Sequence, residues 1–447
     1  MFGLFASQEK KMRSHAANWL ELAEKVYHYR RDMLPPAELA ELQSRSAQLQ
    51  TELKAKSDSA KLKLSIEALE TVLRRTGGKV YPKSSLVENV EFFLVAAIVI
   101  LGIRTYFVQP FKIPTNSMWP SYHGMTPEVF KTKAEEPGAV TQAVRFLAFG
   151  ARARRLDAPQ AGEVLIPMGN PDGRGGAAHY RIVSGRSWFV FPTKLREYTL
   201  FVNDAPVSVT VPLDFDFDWA LTEAFYPGSR KLEAAHDAAV ASGQFVVREV
   251  VEDGRRLRMR FLRTGKNVAS GERILSFDIM TGDQLFVDRM SYHFVEPSVG
   301  SGFVFRTAHI PGIYNIHGDQ YYIKRLVGGP GDTLEVVRGE TKTSDGSSRL
   351  LAFDTTGVLL RNGQPISGSD AFTRNNNREG LYRGYQAIEG LSFGRKVEVP
   401  PHNFFALGDN SNNSSDGRYW GFVPEKDVVG RPLMIYFPFT RRWGPAP

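Results

Sequence analysis

Two residues in this chain have the type and setting that acyl transfer needs: Ser117, in PFKIPTNSMWPS, and Lys324, in YYIKRLVGGPGDTLEV. Ser117 lies between Pro114 and Pro120 and is followed by Met118. Each proline fixes φ and pushes the residue before it toward extended conformations, so the backbone is stiff on both sides of the serine. Rigidity of that kind suits a nucleophile whose hydroxyl must be aimed. A lysine can activate such a hydroxyl without histidine if apolar surroundings disfavour the ammonium and lower its pKa. Tyr322 and Ile323, directly before Lys324, supply that company. Serine–lysine pairs are a variant of triad logic. Alone, either residue reads as an ordinary turn serine or strand-end lysine, so the chemistry depends on what surrounds them.

The elements around them are legible. Phe92 to Ile103, FFLVAAIVILGI, is an uninterrupted apolar run. Extended through Arg104 to Val108 it reaches the roughly 17–25 residues that span a bilayer, with Arg104 able to snorkel and Tyr106 at the interface. Lys54, Lys56, Lys61, Lys63, Arg74, Arg75, Lys79 and Lys83 precede it, which predicts a cytoplasmic N-terminus. The run lies too far from residue 1 to be a removable signal peptide. Residues 6–34 and 36–76 are predicted to be helices broken at Pro35-Pro36, forming a helical hairpin. From Gly162 the pattern turns to strands, with hairpins at Asn203-Asp204 and Asn362-Gly363 and one helix over 230–242. TPEVFKTKAEEPGAV, from Thr126, is expected to be a linker.

Composition narrows the chemistry further. The chain of 447 residues carries a formal charge of +8 and no cysteine. Disulfides, thiol catalysis and cysteine–metal clusters are thereby excluded. The basic residues are spread out without an aromatic-rich RNA-binding signature, so nucleic acid is not an expected partner and anionic lipid is. No H-E-x-x-H metal motif occurs, and neither a metal nor a cofactor is expected.

Four segments occur in the order found in bacterial signal peptidase I: PFKIPTNSMWPS, TGDQLFVDRMSY, KRLVGGPGD and LGDNSNNSSDGRYWGFVP. With the apolar run before the first, the chain resembles that membrane-bound serine–lysine endopeptidase family over roughly residues 88–122 and 281–436. The resemblance implies a mainly β catalytic domain of antiparallel sheets, with an N-terminal α-helical region and one transmembrane helix. Its expected layout is a cytoplasmic helical region (1–87), a membrane helix (88–108), a catalytic domain (109–125 and 271–447) and an inserted, mostly β domain (126–270). It implies a bacterial plasma (inner) membrane protein, single-pass, with the catalytic domain outside the cytoplasm. Its substrates would be preproteins whose signal peptides carry small residues before the scissile bond, delivered beside the protein export machinery.

Residue by residue, the resemblance makes Ser117 the nucleophile and Lys324 the general base. Thr115 and the Ser117 backbone N–H would serve the oxyanion, and Ser414, rather than its neighbour Ser415, would orient the lysine amine. Asp409, Asp416, Arg418 and Arg325 would form a structural ion-pair set. Phe111, Ile113, Met118, Tyr322 and Ile323 would line shallow pockets. Three positions depart from the family pattern: Asn116 where glycine is common, Tyr122 where leucine is usual, and Ser411 where arginine is frequent.

Three other readings compete. A Ser-His-Asp hydrolase could draw on His317 and Asp319, but no G-x-S-x-G elbow accompanies them. The self-cleaving SOS repressors share the serine–lysine chemistry and lack a membrane segment. A catalytically silent membrane-anchored β scaffold is the non-enzymatic alternative.

Overall fold

The computed structural model describes residues 8–169, 176–187, 191–229, 231–252, 255–342, 348–350 and 355–447. The chain divides into two compact units, Met1–Gly102 and Ile103–Pro447.

In the first unit the expected hairpin is a three-helix arrangement. Helices α1 (Gln8–Arg30), α2 (Pro36–Lys54) and α3 (Ser59–Thr76) pack around Ala16, Ala23, Leu42, Leu49, Leu62, Leu69 and Leu73. The predicted single helix over 36–76 is broken because Asp58 caps a new one, its carboxylate accepting from the Lys61 N–H at 2.7 Å. Lys56 just before it takes a left-handed φ of 52°. A local side-chain acceptor here overrides an apolar stripe that runs on in the sequence. Leu64, expected on that stripe, is exposed.

Helix α4 (Ser85–Tyr106) has 22 residues and no buried residue. At ~1.5 Å per residue it is about 33 Å long, enough to cross a bilayer. Among the described residues it is the one helix long and apolar enough to do so.

The second unit is built on antiparallel sheets. The largest runs in the order 108–112, 284–288, 428–437, 302–306, 321–328, 403–407 and 423–424, with 444–445 paired to 428–437. Its central pairing sets Phe303 opposite Lys324 and Gly302 opposite Arg325. A neighbouring sheet joins 364–365, 356–361, 333–338 and 396–398. Its hairpin turns at Asn362 and Gly363 with φ of 53° and 77°, the left-handed pair that Asn-Gly favours.

Between these parts lies the segment that leaves at Thr126 and returns at Met280. The two positions are direct partners, since strand Thr126–Val129 pairs with Arg273–Met280. The expected linker therefore starts as a strand and continues into α5 (Ala139–Phe149). A six-stranded sheet and helices α6 (Phe217–Phe225) and α7 (Leu232–Ser242) complete the layer. They enclose one core with Val164, Ile166, Leu200, Phe217 and Leu221. Ile274, Leu275, Phe277 and Ile279 belong to the same core, so this layer extends to Met280. The hairpin at Asn203-Asp204 forms with Val202 opposite Ala205. Helix α6 was hidden in the sequence by FDFDW, whose Asp216 caps it by accepting from the Trp219 N–H at 3.1 Å.

Candidate active site

The Ser117 loop is held by backbone contacts that side-chain chemistry makes possible. Ile113 N–H donates to the Asp283 carbonyl and Asp283 N–H to the His123 carbonyl, each at 2.8 Å. The fully buried Asp283 carboxylate accepts from the His123 N–H at 2.8 Å and pairs with Arg442 at 2.8 Å. Gly282 permits this approach, because a Cβ there would stand 1.9 Å from the Ile113 carbonyl oxygen. Asn116 closes the neck of the loop: its Nδ2 donates to the Met125 carbonyl at 2.7 Å and its Oδ1 accepts from Gly124 N–H at 2.9 Å. That is the work of one of the departures from the family pattern.

Lys324 stands mid-strand and is 3% exposed. Its Nζ lies 2.6 Å from Ser117 Oγ, across 207 positions of sequence. Burial is the main reason that its amine is pulled down from the ordinary lysine range to about 8; Arg418 works in the same direction, while Asp416 and Asp409 oppose it. The Tyr322 ring lies 5.8 Å from the amine.

The third side of the site comes from LGDNSNNSSDGR. Asn410 N–H donates to the Ser117 carbonyl at 3.1 Å, and Asn410 Nδ2 to the Asn116 carbonyl at 2.9 Å. At Gly408 a Cβ would stand 2.4 Å from the Ser117 carbonyl oxygen. The four charges form two separate buried pairs. Arg325 grips Asp409 with Nε and Nη2 at 2.7 and 2.6 Å, and Arg418 grips Asp416 at 2.8 and 2.7 Å. Asp416 also accepts from Gly408 N–H at 3.0 Å, so the second pair fixes the chain against the serine. Ser411, the residue in place of a frequent arginine, accepts from Arg418 at 2.9 Å.

Breaking one pair should be costly for the fold. Asp409→Ala leaves the 2%-exposed Arg325 guanidinium without its counter-charge. The expected destabilisation is about 3–5 kcal/mol, measured as a fall in the thermal unfolding midpoint. An unchanged midpoint would mean that the pair is solvated.

Ser414 differs from its expected role. Its hydroxyl is buried but has no hydrogen-bond partner among the described residues, and so does not hold the Lys324 amine here. It sits over Gly408, where an added Cβ would be 2.2 Å from its Oγ. Ser415 is exposed. Thr115 is exposed two residues before the serine. Of the alternative acid–base pair, Asp319 is tied up with Arg306, and the His317 side chain lies outside the described residues.

Known proteins are similar to part of this chain. The family model described as signal peptidase, peptidase S26, matches residues 275–437. Probable signal peptidase I-1 of Synechocystis is 32% identical over 167 residues, which cover 36% of this chain and 66% of that protein. Signal peptidase I of Leptolyngbya laminosa is 30% identical over 167 residues, covering 37% of this chain and 66% of that protein. Over residues 275–437 this chain belongs with the signal peptidases. It spans 66% of the length of these two relatives. A Staphylococcus aureus relative, 24% identical over 160 residues, 36% of this chain and 72% of its own length, is named inactive signal peptidase IA. The signal peptidase model takes in Lys324 and the Asp409–Arg418 box but begins after Ser117.

The expected signal peptidase pocket residues divide between two clusters. Ile113 and Met118, 4% and 0% exposed, are packed with Leu285, Val304 and Ile435, while Phe111 and Ile323 flank them half-buried. Tyr322 packs instead with Phe303 and Phe305. Strand alternation explains the division, since neighbours on one strand face opposite sides. Ile113 and Met118 are therefore floor rather than open wall. Tyr321, not anticipated, stands against Phe111 with ring centroids 5.1 Å apart. Tyr122, the third departure, fills the same cluster and donates to the Pro447 carbonyl at 2.9 Å.

Proposed function

We propose that this chain is a membrane-bound serine endopeptidase that removes signal peptides from exported preproteins, with Ser117 as nucleophile and Lys324 as general base. The observation that carries this reading is the 2.6 Å contact between Ser117 Oγ and the amine of a lysine that is 3% exposed. A neutral amine at that distance takes the hydroxyl proton as Oγ attacks the scissile carbonyl. The oxygen of the tetrahedral intermediate gains negative charge, for which the Ser117 N–H and the Thr115 hydroxyl are the proposed donors. The ammonium then protonates the departing amine, leaving an acyl ester on Ser117. Water attacks that ester with Lys324 again as base, which releases the signal peptide as a free carboxylate and regenerates the serine.

The rest of the site supports those steps. Asn410, Asn116 and Asp283 keep the serine loop in register with the lysine strand. A buried hydroxyl without a partner, such as that of Ser414, is one that a rotated lysine amine would satisfy. Phe111, Tyr321 and Ile323 offer apolar contact for small side chains before the scissile bond. Helix α4 supplies the bilayer anchor, and the basic residues before it favour an N-in topology that leaves Ser117 outside the cytoplasm. The segment between Thr126 and Met280 is read as an insertion between the serine box and the box that contains Asp283.

Full-length protein in lipid vesicles, incubated with a preprotein bearing an Ala-x-Ala site, tests the reading. The expected product is the mature protein with its N-terminus immediately after that site. An intact preprotein under these conditions would favour the silent scaffold.

A further inference from the structure

Helix α5 is turned the wrong way for a soluble domain. An ordinary surface helix buries its apolar stripe and shows its polar one. Here Val140, Val144 and Leu147 are 80%, 57% and 73% exposed, and Phe146 is 47% exposed. Gln142 and Arg145, both half-buried, face inward instead. Arg145 Nη2 pairs with Glu128 at 2.8 Å and Asp278 at 3.1 Å, and Gln142 Nε2 donates to the Ala151 carbonyl. The orientation is fixed, because the Arg145 contacts lock that face onto strands Thr126–Val129 and Arg273–Met280. The apolar face also continues onto a second segment: Phe439 N–H donates to the Ala148 carbonyl at 3.0 Å, and Phe439 and Trp443 are 59% and 53% exposed.

We propose that α5, with Phe439 and Trp443, is a second membrane contact that lies in the bilayer interface and holds this unit down on the lipid surface. The proposal rests on the membrane anchoring proposed above. Two features of the patch fit lipid. Its composition is aliphatic with Phe and Trp at the edge and the exposed Arg441 beside them, the chemistry of an interfacial face on anionic headgroups. Its place is set by the sheet: strand Val108–Lys112 starts two residues after α4, and Lys112 pairs with Gln284, which pairs with Phe437. Two strand spacings and one short strand separate the patch from the exit of the anchor, roughly 20 Å in all. Tethering at that range keeps the bilayer at high effective concentration, so a modest apolar face suffices to dock.

The chain has no cysteine, so single-cysteine variants can be labelled uniquely. Full-length Val144→Cys and Leu147→Cys, carrying a bimane, would be placed in phosphatidylethanolamine/phosphatidylglycerol vesicles with a spin label near the top of the acyl chain. Both should be quenched several-fold more than Asp237→Cys on α7, whose side chain is 72% exposed. Val95→Cys, within α4, reports insertion independently of cleavage. Quenching at Val95 with none at positions 144 and 147 would overturn the docking alone. No quenching at Val95 would remove the membrane reading and the docking with it. Fluorescence at 144 that shifts with protein density and ignores the spin label would assign the face to a second copy and reject lipid. Cleavage that fails in a chain still quenched at 147 would sink the protease reading and leave the docking intact.

Discussion

Ser117→Ala should lower turnover of a preprotein by about 10⁴-fold or more, with the fold retained. The alanine removes only a hydroxyl, while the contacts that shape the loop run through its backbone. Ile113, Asn116, Asp283 and Asn410 would still hold it. The variant should unfold at the wild-type temperature and still bind substrate. Substantial remaining cleavage would transfer the nucleophile's role to another group and would reject Ser117.

Lys324→Arg should be nearly as damaging as Lys324→Ala, each by about 10³-fold or more. A lysine buried in this cleft loses its proton near pH 8, chiefly because burial disfavours the charge. A guanidinium stays protonated at any working pH and cannot accept the serine proton. A positive charge of similar length thus separates two roles. If Lys324 acted only by attracting or positioning substrate, arginine would retain much of the activity. Single-turnover rates for both variants, taken with saturating preprotein, make the comparison without interference from product release.

The parts of this site that were legible in the sequence are those in which a residue type has few alternative uses. A serine between two prolines and a lysine after an apolar pair could be matched across 207 positions because the intervening boxes fixed their order. The two hairpins were legible because Asn-Gly and Asn-Asp turns carry their geometry locally. What stayed hidden depends on distant partners. Asn410 is a common loop residue until the Ser117 carbonyl is seen in front of it, and Arg442 gives no signal of its bond to Asp283. Ile113 and Met118 could be assigned to the neighbourhood of the site, but whether they line or underlie it depends on strand alternation three-dimensionally resolved. Helix α5 escaped notice for a physical reason as well. Gln142 and Arg145 are turned toward the sheet while Val140, Val144 and Leu147 are exposed, so a pattern rule that assumes burial of apolar residues points it the wrong way.

The pH dependence of the single-turnover rate tests the serine–lysine account most directly. Neutral Lys324 is the active form, so the rate should rise about tenfold per pH unit through the acidic range. It should level off above a midpoint near 8, the value to which burial pulls the amine down. Exposing that amine should move the midpoint upward toward the ordinary lysine range, and Lys324→Arg should abolish the limb. A rate that is flat between about pH 6 and 9, or a limb that survives unchanged in Lys324→Arg, would contradict the assignment of Lys324 as the base.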